Sequence, residues 1–149
     1  MASIDDEVKT KFTGDKHRFI TNLIFTSTWI KNSFNEFLKP FDLSSQQFNV
    51  LRILRGADDW VAMTEVKKLM IEKAPNATRL VDKLLNKELI IRERSESDRR
   101  IVYVKITELG LKLLQTIDES NNAFQKEFME RIDLDDAKYM NTILDKLRG

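Results

Sequence analysis

Apolar positions along this chain keep a helical rhythm at both ends and lose it in the middle. From about Lys16, the residues Leu23, Ile30, Phe34, Phe37 and Phe41 recur at threes, fours and their sums, and Phe19, Ile20 and Ile24 widen the stripe. Pro40 ends this first helix, because it has no backbone N–H to give and its ring clashes with the preceding turn. A helix over 16–40 exposes more apolar surface than a small core can cover, so part of it is expected to pack on a second subunit. The polar stretch before it, residues 1–14, reads as a frayed arm on which Val8 and Phe12 can dock.

Ser44 or Ser45 caps a second helix whose inner face is Phe48, Leu51, Ile53 and Leu54, and which stops near Gly56. Asp58-Asp59-Trp60 reads as a loop and Val61-Ala62-Met63 as a short strand. Thr64 is then expected to cap a third helix reaching Met70 and burying Val66, Leu69 and Met70. Pro75 fits the first turn of a fourth helix running to about Lys87. Leu89–Arg94 and the β-branched run Ile101–Ile106 flank a charged tip, Glu96-Ser97-Asp98-Arg99-Arg100, and so predict a hairpin. Thr107-Glu108 opens a further helix with Leu109, Leu113, Leu114, Ile117, Ala123, Phe124 and Phe128 inward. A last helix starts near Leu134 and carries Tyr139, Met140, Ile143, Leu144 and Leu147.

The expected fold class is therefore mainly α with a small β-hairpin. Two short helices and a basic-tipped hairpin have the shape of a winged helix-turn-helix over 44–108, flanked by helices at 16–40 and 109–147, all within one compact chain of 1–149. The 71–75 turn is equally able to join two helices of an unrelated bundle. On that alternative the chain is a helical protein-interaction module and its hairpin is only a solvated loop.

Charge sharpens the picture only where it is unevenly placed. The chain carries a net charge of +1, too little for a generally basic nucleic-acid domain. Residues 62–108 hold 11 basic and 8 acidic side chains, whereas residues 109–149 hold 6 and 8. The middle segment is where phosphate contacts are expected, and duplex DNA is the partner this placement favours. The absence of cysteine excludes disulfides, thiolate-held zinc and thiol redox switching. No apolar run suits a membrane span, no basic-then-apolar leader opens the chain, and a cytoplasmic location is expected.

Enzymatic readings find no support. His17 is the single histidine and has no acid cluster near it in sequence, so neither a catalytic constellation nor a histidine-rich metal site is expected. Asp58-Asp59 and Asp133, Asp135 and Asp136 lack the ligand spacing of a calcium loop. Four glycines leave little room for a phosphate-cradling loop. No cofactor is expected.

The run Asn76-Ala77-Thr78-Arg79-Leu80-Val81-Asp82-Lys83-Leu84, followed by Leu89-Ile90-Ile91-Arg92, Ser97-Asp98-Arg99-Arg100 and Val104-Lys105-Ile106-Thr107-Glu108-Leu109-Gly110, resembles the MarR-type winged-helix transcriptional regulators. The likeness spans roughly residues 16–147. It implies a homodimer on a pseudo-palindromic operator, acting as a repressor or regulator, and a pocket for a small organic effector between the dimerisation and DNA-binding parts. Glu88 departs from the pattern, since similar proteins often place glycine between the fourth helix and the hairpin.

On that frame Asn76, Thr78, Arg79 and Lys83 face the duplex: Asn and Thr can bond base edges, and the Arg fork fits guanine. Arg99 and Arg100 on the wing suit phosphate or the minor groove, with Asp98 accepting from a neighbouring arginine to aim it. Lys67, Lys68 and Lys73 are further candidates for phosphate contacts. Phe25, Trp29 and Trp60 are the candidate lining of an effector pocket, although aromatics at helical spacing also serve as ordinary core or dimer interface.

Overall fold

The computed structural model describes residues 2–149, apart from the side chains of 121–124 and 127. The expectations for Ala123 and Phe124 fall outside the described residues. The chain divides into two compact units, residues 1–48 and 49–149.

In the first unit the arm is more structured than its polarity suggests. Residues Ile4–Glu7 form a single helical turn, α1, opened by Ser3, whose N–H and hydroxyl both donate to the Asp6 carboxylate at 2.9 Å. Ile4 is buried and Asp5 pairs with Arg18, and the half-buried Phe12 meets the His17 ring edge-on at 5.5 Å, so Phe12 docks as expected and Ile4 joins it. Helix α2 spans Asp15–Leu38, and Pro40 sits in a 3-10 turn, Lys39–Phe41, that follows it. The C-terminal half of α2 is tied by aromatic contacts, with Phe34 against Phe37 at 5.9 Å and against Phe48 at 5.2 Å. Its N-terminal and central turns leave Ile20, Ile24, Phe25, Trp29 and Ile30 exposed. Ser44 is the cap of helix α3 (Ser45–Ala57). Its hydroxyl accepts from the Gln47 N–H at 3.2 Å while the buried Gln47 side chain accepts from the Ser44 N–H at 3.0 Å, a reciprocal capping box.

The second unit holds strand β1 (Val61–Ala62), helix α4 (Met63–Leu69), helix α5 (Ala77–Asn86), strands β2 (Ile90–Arg94) and β3 (Val102–Ile106), and helices α6 (Glu108–Met129) and α7 (Leu134–Arg148). The hairpin gains a third strand, in the order β1-β3-β2, all antiparallel. Ile90 opposite Ile106 and Val61 opposite Val104 place one apolar face inward, joining Leu51, Leu54, Val66, Val81, Leu84, Leu114 and Ile117 in the core.

Several expected boundaries shift. Met63 is helical rather than extended, so Ala62 is the N-cap of α4 and Thr64 lies inside the helix. Pro75 precedes α5 by two residues instead of sitting in its first turn. Leu69 is half exposed, because α4 has two turns and turns only Val66 and the following Met70 fully inward. Leu109, Leu134, Tyr139 and Leu147 are also exposed. Among the described residues no helix is long and apolar enough to cross a membrane.

The tightest joint in this unit lies between α5 and α6. Helix α5 ends with the Leu89 N–H on the Leu84 carbonyl at 3.1 Å and the Glu88 N–H on the Leu85 carbonyl at 2.9 Å. This is a Schellman ending, which needs a left-handed residue after the helix, and Glu88 supplies it at φ +57° where glycine would be unstrained. Thr107 then closes the joint. Its hydroxyl donates to the Glu88 carbonyl at 2.7 Å and accepts from the Gly110 N–H at 3.1 Å, while its own N–H donates to the Leu89 carbonyl at 3.0 Å. A Cβ on Gly110 would sit 2.4 Å from the Leu89 oxygen and 2.7 Å from Ile106 Cγ1.

Two substitutions should therefore move stability in opposite directions. Gly110→Ala should lower the unfolding free energy by about 1–3 kcal/mol through overpacking against backbone. Glu88→Gly should raise it by roughly 0.5–1 kcal/mol, the relief of a left-handed residue less the extra chain entropy of glycine. Urea denaturation of both variants checks the signs, and a stability loss in Glu88→Gly would contradict the strain assigned to that turn.

Candidate nucleic-acid interface

Helix α5 owes its two-sidedness to its sequence. Ala77, Val81 and Leu84 are buried, while Asn76, Thr78, Arg79 and Lys83 are all exposed. Asn76 is the N-cap, yet its side chain makes no capping bond, and among the described residues only its carbonyl is engaged, by the Leu80 N–H at 3.1 Å. The Asn76 amide therefore remains available to another molecule.

The cations of this region fall into two groups. The side chains of Arg79, Lys83, Lys67 and Arg99 have no hydrogen-bond or ion-pair partner among the described residues. Others are engaged within the chain. Lys68 lies 3.6 Å from Glu65, and the Lys73 ammonium donates to the Lys68 carbonyl at 3.3 Å. Arg92, which the sequence did not single out, donates to Asp82 at 3.0 Å and links β2 to the solvent side of α5. An exposed pair of this kind adds about 0–1 kcal/mol to stability, so its main consequence is that the Arg92 charge already has a partner within the chain. Sequence periodicity carries no signal for it, because the partners meet only once the sheet has folded onto α5.

The wing tip is held by its own hydrogen bonds. The Ser95 N–H donates to the Ile101 carbonyl at 3.0 Å, and the Ile101 N–H to the Asp98 carbonyl at 2.9 Å. Asp98 accepts from the Arg100 backbone N–H and from its Nε, both at 3.1 Å, with Nη2 at 3.4 Å. These bonds, the side-chain ones foremost, hold the Asp98 carboxyl below its ordinary value. The expected aiming of an arginine by Asp98 thus falls on Arg100, whose side chain still stands 92% exposed. Arg99 beside it is left unpaired.

The three aromatic candidates have separate settings. Phe25 and Trp29 are exposed on successive turns of α2 in the first unit. Trp60 belongs to the second unit, where it lines an open groove with Tyr103, Glu93, Arg94, Ser95 and Glu96 at the base of the wing. Neither Phe25 nor Trp29 lines that groove.

A helix-turn-helix followed by a two-stranded wing, with unpaired cations on the second helix and at the wing tip, defines a winged-helix protein. Comparison with known proteins agrees. The family described as transcriptional regulator SarA/Rot matches residues 32–117. An HTH-type transcriptional regulator of Bacillus subtilis, YpoP, is 38% identical over 104 residues, covering 70% of each chain. Among solved structures, a MarR transcription factor from Planctomyces limnophilus is 28% identical, with TM-score 0.70 over 91% of this chain and 98% of that one. A point mutant of MarR from E. coli, solved in complex with operator DNA, superposes with TM-score 0.76 at 24% identity over 85% of this chain and 91% of that one. The chain belongs to the SarA/Rot family of MarR-type winged-helix transcriptional regulators, a family of regulators and not of enzymes.

The Asp98–Arg100 contact should persist from neutral pH down past 3.8, the ordinary carboxylate value. A carboxyl held low in the folded state loses its contact only as pH falls through that lowered value. An NMR titration following the Arg100 amide should show a midpoint below 3.8, absent in Asp98→Asn. A midpoint at or above the ordinary value would mean that the tip is not organised by this pair.

Proposed function

We propose that this protein is a homodimeric repressor acting in the cytoplasm on a pseudo-palindromic operator, with residues 44–108 reading double-stranded DNA and helices within 16–40 and 109–147 forming the dimer. The observation that carries the reading is the exposed side of α5. Asn76, Thr78, Arg79 and Lys83 stand together there, and both cations lack a partner among the described residues. The N-terminal end of such a helix is the end presented to base edges in helix-turn-helix complexes. The operator complex of the E. coli MarR mutant supports the choice of duplex DNA as partner.

Within this reading the residues divide by task. Asn76, Thr78 and Arg79 contact bases, and Lys83, Lys67 and Lys68 contact phosphate. Arg99 and Arg100 engage the backbone or the minor groove beside it. The exposed apolar residues Ile24, Trp29 and Ile30 on α2, and Leu134, Tyr139 and Leu147 on α7, are the surface that dimerisation would cover. A two-fold axis in the protein then matches two half-sites on the duplex. A small organic effector relieves repression, with Trp60 in its wing-base groove, and Phe25 and Trp29 on α2, as candidate contacts.

Arg79 and Arg99 should fail differently when truncated. Arg79→Ala should lose about 1–3 kcal/mol of binding and relax preference at one position per half-site. Arg99→Ala should weaken matched and mismatched duplexes almost equally, since phosphate contacts position without specifying. Affinities for cognate and single-mismatch duplexes at one salt concentration, with the cognate taken by selection from a random pool, separate the two. Unchanged preference in Arg79→Ala would remove α5 from the major groove.

Assembly has its own test. Sedimentation equilibrium at micromolar concentration should give a dimer, and substituting Ile24 and Trp29 with polar residues should shift it towards monomer if α2 forms part of the contact. A stable wild-type monomer would overturn the dimer.

A further inference from the structure

The turn between α4 and α5 contains an apolar residue that the fold does not use. Met70 is buried at 3% exposure, and the next residue, Ile71, is 91% exposed, with Leu69 at 54% before it. Ile71 is nevertheless held in place, because its backbone N–H donates to Asn49 Oδ1, on α3, at 3.1 Å. The side chain is thus projected from a fixed point into solvent, where neither packing nor hydrogen bonding accounts for a branched aliphatic group. Its surroundings are cationic on balance: Lys67, Lys68 and Lys73 lie within four residues against one carboxylate, Glu72, with Lys68 3.6 Å from Glu65 and Lys73 folded back onto the Lys68 carbonyl. Residues 63–87 together hold six basic and three acidic side chains.

An aliphatic knob among cations fits a polyanion that itself carries apolar groups. The major-groove edge of DNA is such a surface, because every thymine presents a C5 methyl beside hydrogen-bonding edges and between phosphates. Ile71 lies five residues before the N-cap of α5, in the segment that leads into the end of the helix aimed at the bases. We propose that Ile71 reads the C5 methyl of one thymine in each half-site, a specificity contact separate from those of Asn76, Thr78 and Arg79. This inference rests on the placement of α5 in the major groove.

The test removes only the methyl. A duplex selected by the wild-type protein is remade with each thymine replaced singly by deoxyuridine, and wild type and Ile71→Ala are measured on every version and on a scrambled duplex. One thymine per half-site should be sensitive, its replacement weakening wild type about fourfold, the value of burying one methyl-sized group. Ile71→Ala should bind the unmodified duplex correspondingly less well and be insensitive to uracil at that position. Its thermal unfolding should match wild type, since the side chain is exposed. If Ile71→Ala weakens binding but no thymine is sensitive, or if it keeps the wild-type uracil pattern, the methyl contact is wrong and Ile71 packs on sugar or elsewhere. If Ile71→Ala binds DNA normally but loses self-association in sedimentation, the residue is a protein contact and the proposal fails. Absence of any wild-type preference for the selected duplex over the scrambled one would instead overturn the groove placement of α5, and the inference with it.

Discussion

The joint at Glu88, Leu89, Thr107 and Gly110 is the constraint on which the winged unit depends. Thr107 follows β3, caps α6 and bonds the Glu88 and Leu89 carbonyls just past the end of α5, so one residue ties the junctions of three elements. The joint tolerates nothing bulkier than glycine at position 110, where backbone from the α5 end lies within contact of the α6 backbone. Leu84 and Leu89, both buried, bring the apolar contact that accompanies a Schellman ending. The left-handed turn at Glu88 is retained against its strain because these surrounding bonds over-determine it.

Electrostatics in this molecule matter less for holding the fold than for deciding what stays free. The ion pairs at Asp82–Arg92 and Asp98–Arg100 are exposed, and such pairs contribute little to stability in water. Their effect is selective: they occupy Arg92 and one edge of Arg100 while Arg79, Lys83 and Arg99 keep their charge uncompensated. Counted by element, α5 carries Arg79 and Lys83 against Asp82, and the wing tip balances Arg99 and Arg100 with Glu96 and Asp98, so what these surfaces present is individual unpaired cations and not a strong net charge.

The sequence disclosed elements better than it disclosed partners. The 3.6-residue rhythm placed α2, α3, α5 and α6, and the β-branched run at 101–106 placed β3, because these patterns report burial directly. Thr64 misled because a helix start is fixed here by strand pairing, Ala62 opposite Tyr103, and not by a capping side chain. Leu69 misled because its spacing fits an inner face that a two-turn helix is too short to maintain. Ile4 was hidden among acidic neighbours in one helical turn, too short to show periodicity. In the candidate interface the residue types on α5 were legible from helical spacing alone. Which cations are left unpaired was not, since Asp82 meets Arg92 only through the fold and Asp98 chooses Arg100 over Arg99 only through the geometry of its turn.

The Asp82–Arg92 bridge, together with the Thr107 joint, gives the winged unit a mechanical property. Helix α5 is pinned to β2 along its solvent side and to the β3–α6 junction at its C-terminal end, two anchors on different sides of the same rod. The two anchors are unequal: the exposed ion pair is worth only about 0–1 kcal/mol, whereas the Thr107 joint is made of three hydrogen bonds, two of them to backbone carbonyls next to the end of α5. The position of α5 beside the hairpin is therefore set by backbone at its C-terminal end, and the charge pair on its solvent side can open and close without moving the helix.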